Sequence, residues 1–231
     1  MQTFVLLVTL FLSLPSIKAM SVAKAARSVG KLSPSTTAFF LCDIQERFRP
    51  LIYNTETIVN TAQYLTSMSK ELSIPLIATQ QYTKVFGNTL TDCFANGQTD
   101  IDELIQKNRI FEKKKFSMMT DEVQSYLDTN EEFQNRNSIV LFGIEAHVCV
   151  QQTCLDLLEQ GKEVHIVCDG VSSQQKYDRE MALKRMESAG AFLTTAQSLA
   201  FMLMQSAEHE NFKAVSKLTV NHMKLENQFN Q

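Results

Sequence analysis

The sequence predicts a three-layer α/β/α domain built on a mostly parallel, roughly six-stranded sheet. Three observations predict it. From Thr36 onward, short apolar runs alternate with longer segments of helical periodicity. Several runs close on Asp, Gly or Asp-Gly, the punctuation expected where a buried strand turns into the next helix. The length of 231 residues suits one large domain better than two small ones. Strands alternating with helices imply a sheet covered on both faces, with right-handed crossovers. In such sheets ligands bind beyond the carboxyl ends of the strands.

The elements follow in order. Thr37–Cys42 (TAFFLC) reads as a buried strand ending at Asp43. Residues 54–71 carry Ile58, Ala62, Leu65 and Met68 at helical spacing. Residues 74–79 (IPLIAT) form the next strand, with Pro75 near its start, where a missing donor is tolerated. Residues 101–105 are a short helix and 109–111 a brief strand. Residues 120–129 are helical, with Thr120 as N-cap and Val123 reaching into the core. Residues 138–142 (SIVLF) are a strand closed by Gly143. Residues 145–160 read as one long helix with Val150, Cys154, Leu157 and Leu158 on one face and Gly161 as its C-cap. Residues 163–168 are a strand ending in Asp-Gly, 177–189 a helix stopped by Gly190, and 191–195 the last strand. Helices over 196–204 and 212–220 finish the domain, which spans 36–220 and leaves a polar tail at 221–231. Asp43, the Gly143 turn and Asp169 fall at strand carboxyl ends, and Lys113 closely follows one.

The N-terminal 35 residues stand outside this fold. Residues 4–17 (FVLLVTLFLSLPSI) are apolar but shorter than the roughly 20 residues that cross a bilayer, so no membrane span is expected in the mature protein. They resemble the core of a secretory signal with a cleavage context at residues 17–19. A start at Met20 instead leaves a basic, Ala- and Ser-rich segment free of acids until Asp43, which suits a mitochondrial presequence or a plain disordered tail of a cytoplasmic protein.

The formal charge of −3 gives no reason to expect nucleic acid or an acidic membrane surface as a partner. Five cysteines, an odd number with no CxxC spacing, favour reduced thiols over a disulfide framework or zinc ribbon. The seven glycines form no phosphate-cradling pattern.

Cys149 lies between a buried strand and a long helix. Near a helix N-terminus the unpaired N–H groups stabilise a thiolate and make a nucleophile. The competing reading is a buried small hydrophobe, as for Cys42, Cys154 and Cys168. Asp43 emerges from a buried strand, where a carboxylate is costly unless paired or used. It is either a general base or an N-cap for the following turn. Lys113, Lys114 and Lys115 lie between Phe111 and Phe116, which draw the segment towards the core. A lysine beside a thiol favours the thiolate, and spacing alone does not choose among the three. His147 is two residues from Cys149, a separation at which helical side chains point apart. His165 alternates within a buried strand as a core residue. A redox-sensing role for Cys149 lacks a resolving cysteine near it in sequence.

Three segments together resemble the isochorismatase-like (cysteine hydrolase) superfamily: Asp43-x-Gln45-x-x-Phe48, Lys113-x-x-Phe116-Ser117 and Gly143-Ile144-x-x-x-x-Cys149-Val150-x-x-Thr153. The likeness covers residues 36–220, most closely that of animal isochorismatase domain-containing proteins. It implies a Rossmann-like sheet and a small-molecule substrate. Cys149 would be the nucleophile, Asp43 the base, and Lys113 the group that holds the charges. It also implies a cis peptide at Ile144–Glu145, turning the Glu145 and Cys149 N–H groups towards an oxyanion, and a pocket about Gln45, Phe48, Gln81 and Tyr82. Hydrolysis of a small amide or carbamoyl compound through a thioester would follow, with no metal and no cofactor, in a homo-oligomer. A catalytically silent binding or scaffold protein is the alternative.

Departures from the family refine the expectation. Members that cleave isochorismate lack a cysteine at this position. Nicotinamidases build a metal site from Asp and histidines after the second strand, where residues 79–87 here hold no histidine. Gln80 and Thr83 stand where the animal proteins usually have Glu and Pro.

Overall fold

A computed structural model describes residues 28–230; the expectations for a signal or presequence lie outside that range. Six strands form one all-parallel sheet in the order β3-β2-β1-β4-β5-β6. They are β1 (Thr37–Cys42), β2 (Leu76–Gln81), β3 (Ile110–Lys113), β4 (Ser138–Ile144), β5 (Glu163–Ser172) and β6 (Phe192–Thr194). Between and after them run α1 (Thr55–Glu71), α2 (Thr83–Phe86), α3 (Gln98–Gln106), α4 (Asp121–Thr129), α5 (Gln151–Glu159), α6 (Lys176–Ala189), α7 (Ala196–Met204) and α8 (Phe212–His222).

The period of two in β1 explains the three layers. Phe39 and Leu41 enter one apolar cluster with Ile58, Ala62, Leu65 and Met68 of α1 and Leu199 of α7. Ala38, Phe40 and Cys42 enter the opposite one with Val150, Cys154 and Leu157. Every residue of β1 is buried, as a central parallel strand requires. Burying each large apolar side chain stabilises the fold by about 1.5–3 kcal/mol.

Pro75 lacks a donor but its carbonyl accepts from Phe39 N at 2.9 Å, so β2 starts one residue later and runs on to Gln81. Thr120 caps α4 by accepting from Val123 N at 3.2 Å. Gly143 lies at φ 147°, and a Cβ there would sit 2.1 Å from the Cys42 carbonyl oxygen. Glycine is what lets β4 pass β1 this closely.

Three expectations change. The long helix at 145–160 is a π-helical turn, Ala146–Val150, followed by α5. The Ile144–Glu145 bond is trans, no cis peptide occurring among the described residues. The chain turns instead through Glu145 in the left-handed conformation (φ 55°, ψ 59°), whose carbonyl accepts from Val148 N and Val150 N. Finally, β5 continues past Cys168 to Ser172, with a register shift against β4. Asp169 is therefore inside a strand, and its Oδ1 accepts from Ala196 N at 2.9 Å at the start of α7.

His165 is buried and stacked on Phe192, as a core residue should be, but its Nε2 has no hydrogen-bond partner. Burial pulls its pKa down to about 4, so the ring is neutral. At the C-terminal end, His222 stacks on Tyr64, Gln228 N donates to Thr57 Oγ1 and Phe229 meets Tyr53 edge-on.

Candidate active site

The carboxyl ends of β1, β2 and β3 and the turn after β4 build one buried polar cluster. Asp43 follows β1 at φ 54°, a left-handed position that a short polar side chain tolerates better than most. Its Oδ1 accepts from Thr79 Oγ1 at 2.8 Å. Its Oδ2 accepts from Lys113 Nζ at 2.7 Å and from the Cys42 thiol at 3.5 Å. Asp43, Lys113 and Cys149 are 2%, 3% and 5% exposed. At that depth an unpaired charge would be costly, and the ion pair offsets that cost.

The burial alternation of β3 selects the lysine. Phe111 and Lys113 face inward, whereas Glu112 faces out. Lys113 Nζ also donates to Gln81 Oε1 at 2.7 Å and to the carbonyls of Phe116 (2.8 Å) and Lys115 (3.2 Å). Lys114 instead lies over the Tyr82 ring, and Lys115 reaches Asp156 and Met119 O. Burial disfavours the Lys113 ammonium, but the fields of Cys42, Asp43 and Cys149 and the hydrogen bond to Asp43 outweigh it, so its pKa is raised. Lys113 therefore stays charged near neutrality.

Cys149 occupies the π-turn that opens the α5 layer. Its carbonyl accepts from Thr153 Oγ1 at 2.7 Å, and the same hydroxyl accepts from Met118 N at 2.8 Å. Thr153 thus ties the Lys113 loop to the Cys149 turn. Burial, the neighbouring Cys149 thiol and the Asp43 charge push the Cys42 pKa well up despite Lys113. Burial likewise raises Cys93, Cys154 (to about 12) and Cys168.

The other expected site residues take different places. Gln45 is spent on backbone: Nε2 donates to the carbonyls of Gln81 and Gly87, and Oε1 accepts from Gln81 N. Phe48 is buried and stacked on Phe86 at 4.6 Å. Gln81 holds Lys113, and Tyr82 stands at the surface beside Lys114. Gln80 donates to Thr89 Oγ1, and Thr83 donates to Glu112. Ile144 is buried in the core. Glu145 is nearly buried, with Oε1 accepting from Gln174 and Oε2 lacking a hydrogen bond. His147 turns to Ser173, Glu145 and Asp178. Sequence reasoning missed Cys42 and Thr79 as partners of Asp43. They are register partners at the ends of the β1–β2 pairing, on the same face, which is the signal that marks them.

A doubly covered parallel sheet with an ion pair and a cysteine gathered at its carboxyl rim defines an α/β protein whose polar cluster lies where such sheets bind ligands. The Isochorismatase domain family model matches residues 37–198. Over 209 residues, covering 90% of this chain and 96% of its relative, the chain is 39% identical to the Secreted isochorismatase effector Isc1 of Phytophthora sojae. It is 40% identical to Isochorismatase domain-containing protein 2 of Danio rerio, over 82% of this chain and 90% of that one. A solved structure titled MAR1 ribonuclease, from Caenorhabditis elegans, aligns with a TM-score of 0.71 at 37% identity, over 82% of this chain and 92% of that chain. The chain belongs to the isochorismatase family, a family of isochorismatase-like hydrolases. No helix among the described residues is long and apolar enough to cross a membrane.

Proposed function

We propose that the chain is a cysteine hydrolase of small amide or carbamoyl compounds that works without a metal. The observation that carries this reading is the buried Lys113–Asp43 ion pair acting on Cys149. Lys113 keeps the carboxylate charged and in place and offsets the negative charge of a thiolate. Cys149 Sγ attacks the carbonyl carbon, and Asp43 takes the thiol proton and passes it to the leaving nitrogen. The C–N bond breaks, the amine leaves, and a thioester remains. Asp43 then takes a proton from water, the resulting hydroxide displaces the sulfur, and acid and free thiol result. The end of β2 and the residues after it offer Gln80, Gln81, Tyr82 and Thr83 rather than histidines, which supports the metal-free reading.

The Caenorhabditis elegans relative is named a ribonuclease. We place that activity second for this chain, because the site's one lysine is buried and already serves four acceptors, leaving little to neutralise a phosphate chain. A panel of small amides, carbamoyl compounds and a short RNA tests the reading. Turnover of an amide, abolished in Cys149→Ala and kept in Cys154→Ala, is the expected result. Turnover unchanged in Cys149→Ala, cleavage of RNA alone, or no turnover beside intact ligand binding would overturn it, the last in favour of a silent binding protein.

A further inference from the structure

We propose that Cys42 and Cys149 form a redox pair, in which a hydroperoxide oxidises Cys149 and Cys42 resolves it into an intramolecular disulfide that switches the site off. The proposal rests on the reading of Cys149 as the nucleophile. The two residues are 107 positions apart (149 minus 42), and only the fold joins them.

Cys42 is the last residue of β1, and the strand's alternation sends it to the α5 side of the sheet. Cys149 descends onto the same face from the turn after β4, so both side chains enter one buried cluster. Cys93 is in the other apolar cluster, across the sheet. Cys154 shares the face but lies in α5, whereas Cys42 sits against the Asp43 carboxylate at 3.5 Å and pairs in register with Gly143, which leads into the Cys149 turn. All five cysteines are unpaired here. Cys42 has no exposed surface, so neither a bulky reagent nor a second copy of the chain can reach it, while Cys149 retains a little. An oxidant small enough to follow the substrate's route meets Cys149 first. The π-turn carrying Cys149 is a rare helical form found often at functional sites.

The chemistry balances with a hydroperoxide as the oxidant. Asp43 takes the Cys149 proton and the thiolate attacks one peroxide oxygen; an S–O bond forms, the O–O bond breaks, and the leaving oxygen takes that proton from Asp43. Cys149 is then a sulfenic acid. Cys42 gives its proton to Asp43 Oδ2, to which it already donates, and attacks the Cys149 sulfur. The S–S bond forms, the S–O bond breaks, and hydroxide leaves with the proton from Asp43 as water. Two thiols are oxidised and one hydroperoxide is reduced. Because the disulfide caps Cys149 at the first oxidation level, the sulfur is spared irreversible sulfinic acid.

The test titrates the reduced full chain with hydrogen peroxide and follows intact mass, unreduced peptide maps and iodoacetamide labelling. Labelling of the reduced protein reports on the nucleophile itself; the oxidised product reports on the pair. The expected product has lost two hydrogens, yields a peptide joining Cys42 to Cys149, and regains full Cys149 labelling with dithiothreitol. In Cys42→Ala, and in Cys42→Ser, which keeps a donor to Asp43, Cys149 gains oxygen stepwise and recovery by dithiothreitol falls about tenfold or more. Cys154→Ala behaves as wild type. Sulfinic acid at Cys149 beside a free Cys42, or a bond from Cys149 to Cys154, overturns the pair while leaving the nucleophile standing. A reduced Cys149 that neither labels ahead of Cys154 nor oxidises overturns both.

Discussion

Replacing Lys113 by methionine is expected to cost about 3–5 kcal/mol of stability, the range for breaking a buried ion pair from one side. Methionine fills much of the same volume, so the loss is not mainly a cavity. It comes from Asp43, left at 2% exposure with only Thr79 and Cys42 to donate to it. The carbonyls of Lys115 and Phe116 and the Gln81 amide oxygen lose a donor as well. Adding Asp43→Asn to Lys113→Met should recover part of the loss, because it removes the stranded charge. Denaturant titration of the wild type, the single and the double variants measures this. A single variant within 1 kcal/mol of wild type, a loss smaller than the about 1–3 kcal/mol of one orphaned polar group, would contradict the account. The pH dependence has a definite sign. The folded lysine is held above its ordinary value of 10.5, so its contribution is complete below that pH and is lost as pH rises through the raised value. The alkaline limb of the stability curve should therefore be flatter in Lys113→Met.

Asp43→Asn is expected to lower turnover of any amide the protein hydrolyses by about 10²–10⁴-fold, the usual worth of a positioned general base. Asparagine preserves the shape, and its oxygen can still accept from Thr79 or Lys113. It cannot take the proton from Cys149 or from water. The loss should fall on kcat rather than KM, since Asp43 acts on reacting protons. Steady-state kinetics on protein checked for folding by its thermal melt decides it. A variant with kcat within a few-fold of wild type would remove Asp43 from the chemistry.

Much of the architecture was legible because it rests on periodicity. TAFFLC reads as a buried strand, and SIVLF and EVHIVC carry the same pattern. Strand ends were harder. Pro75 delays β2, and Asp-Gly at 169–170 is read as a stop although β5 runs through it, because a tertiary hydrogen bond to Ala196 N satisfies Asp169 inside the sheet. The π-turn was invisible, since a hydrophobic stripe does not distinguish it from an ordinary first helical turn. Lys113 was legible in principle: Phe111 and Lys113 share a face by strict alternation, whereas Lys114 does not. The contact between Cys42 and Cys149 was not legible in spacing. It depends on β1 pairing with β4 and on a turn geometry set by Gly143 and Glu145. Gln45 shows the opposite error. Its place in a motif beside Asp43 suggests a ligand contact, but its amide groups are consumed in joining the end of β1 to Gln81 and Gly87.

The most direct measurement is the initial rate of iodoacetamide alkylation at each cysteine of the reduced protein at neutral pH, mapped by peptide mass spectrometry. Cys42, Cys93, Cys154 and Cys168 are all held as thiols, their pKa values raised first of all by burial. The account predicts that Cys149 is labelled at least about tenfold faster than any of them, and that Lys113→Met erases the difference. Labelling of Cys149 no faster than Cys154 or Cys168 would contradict it.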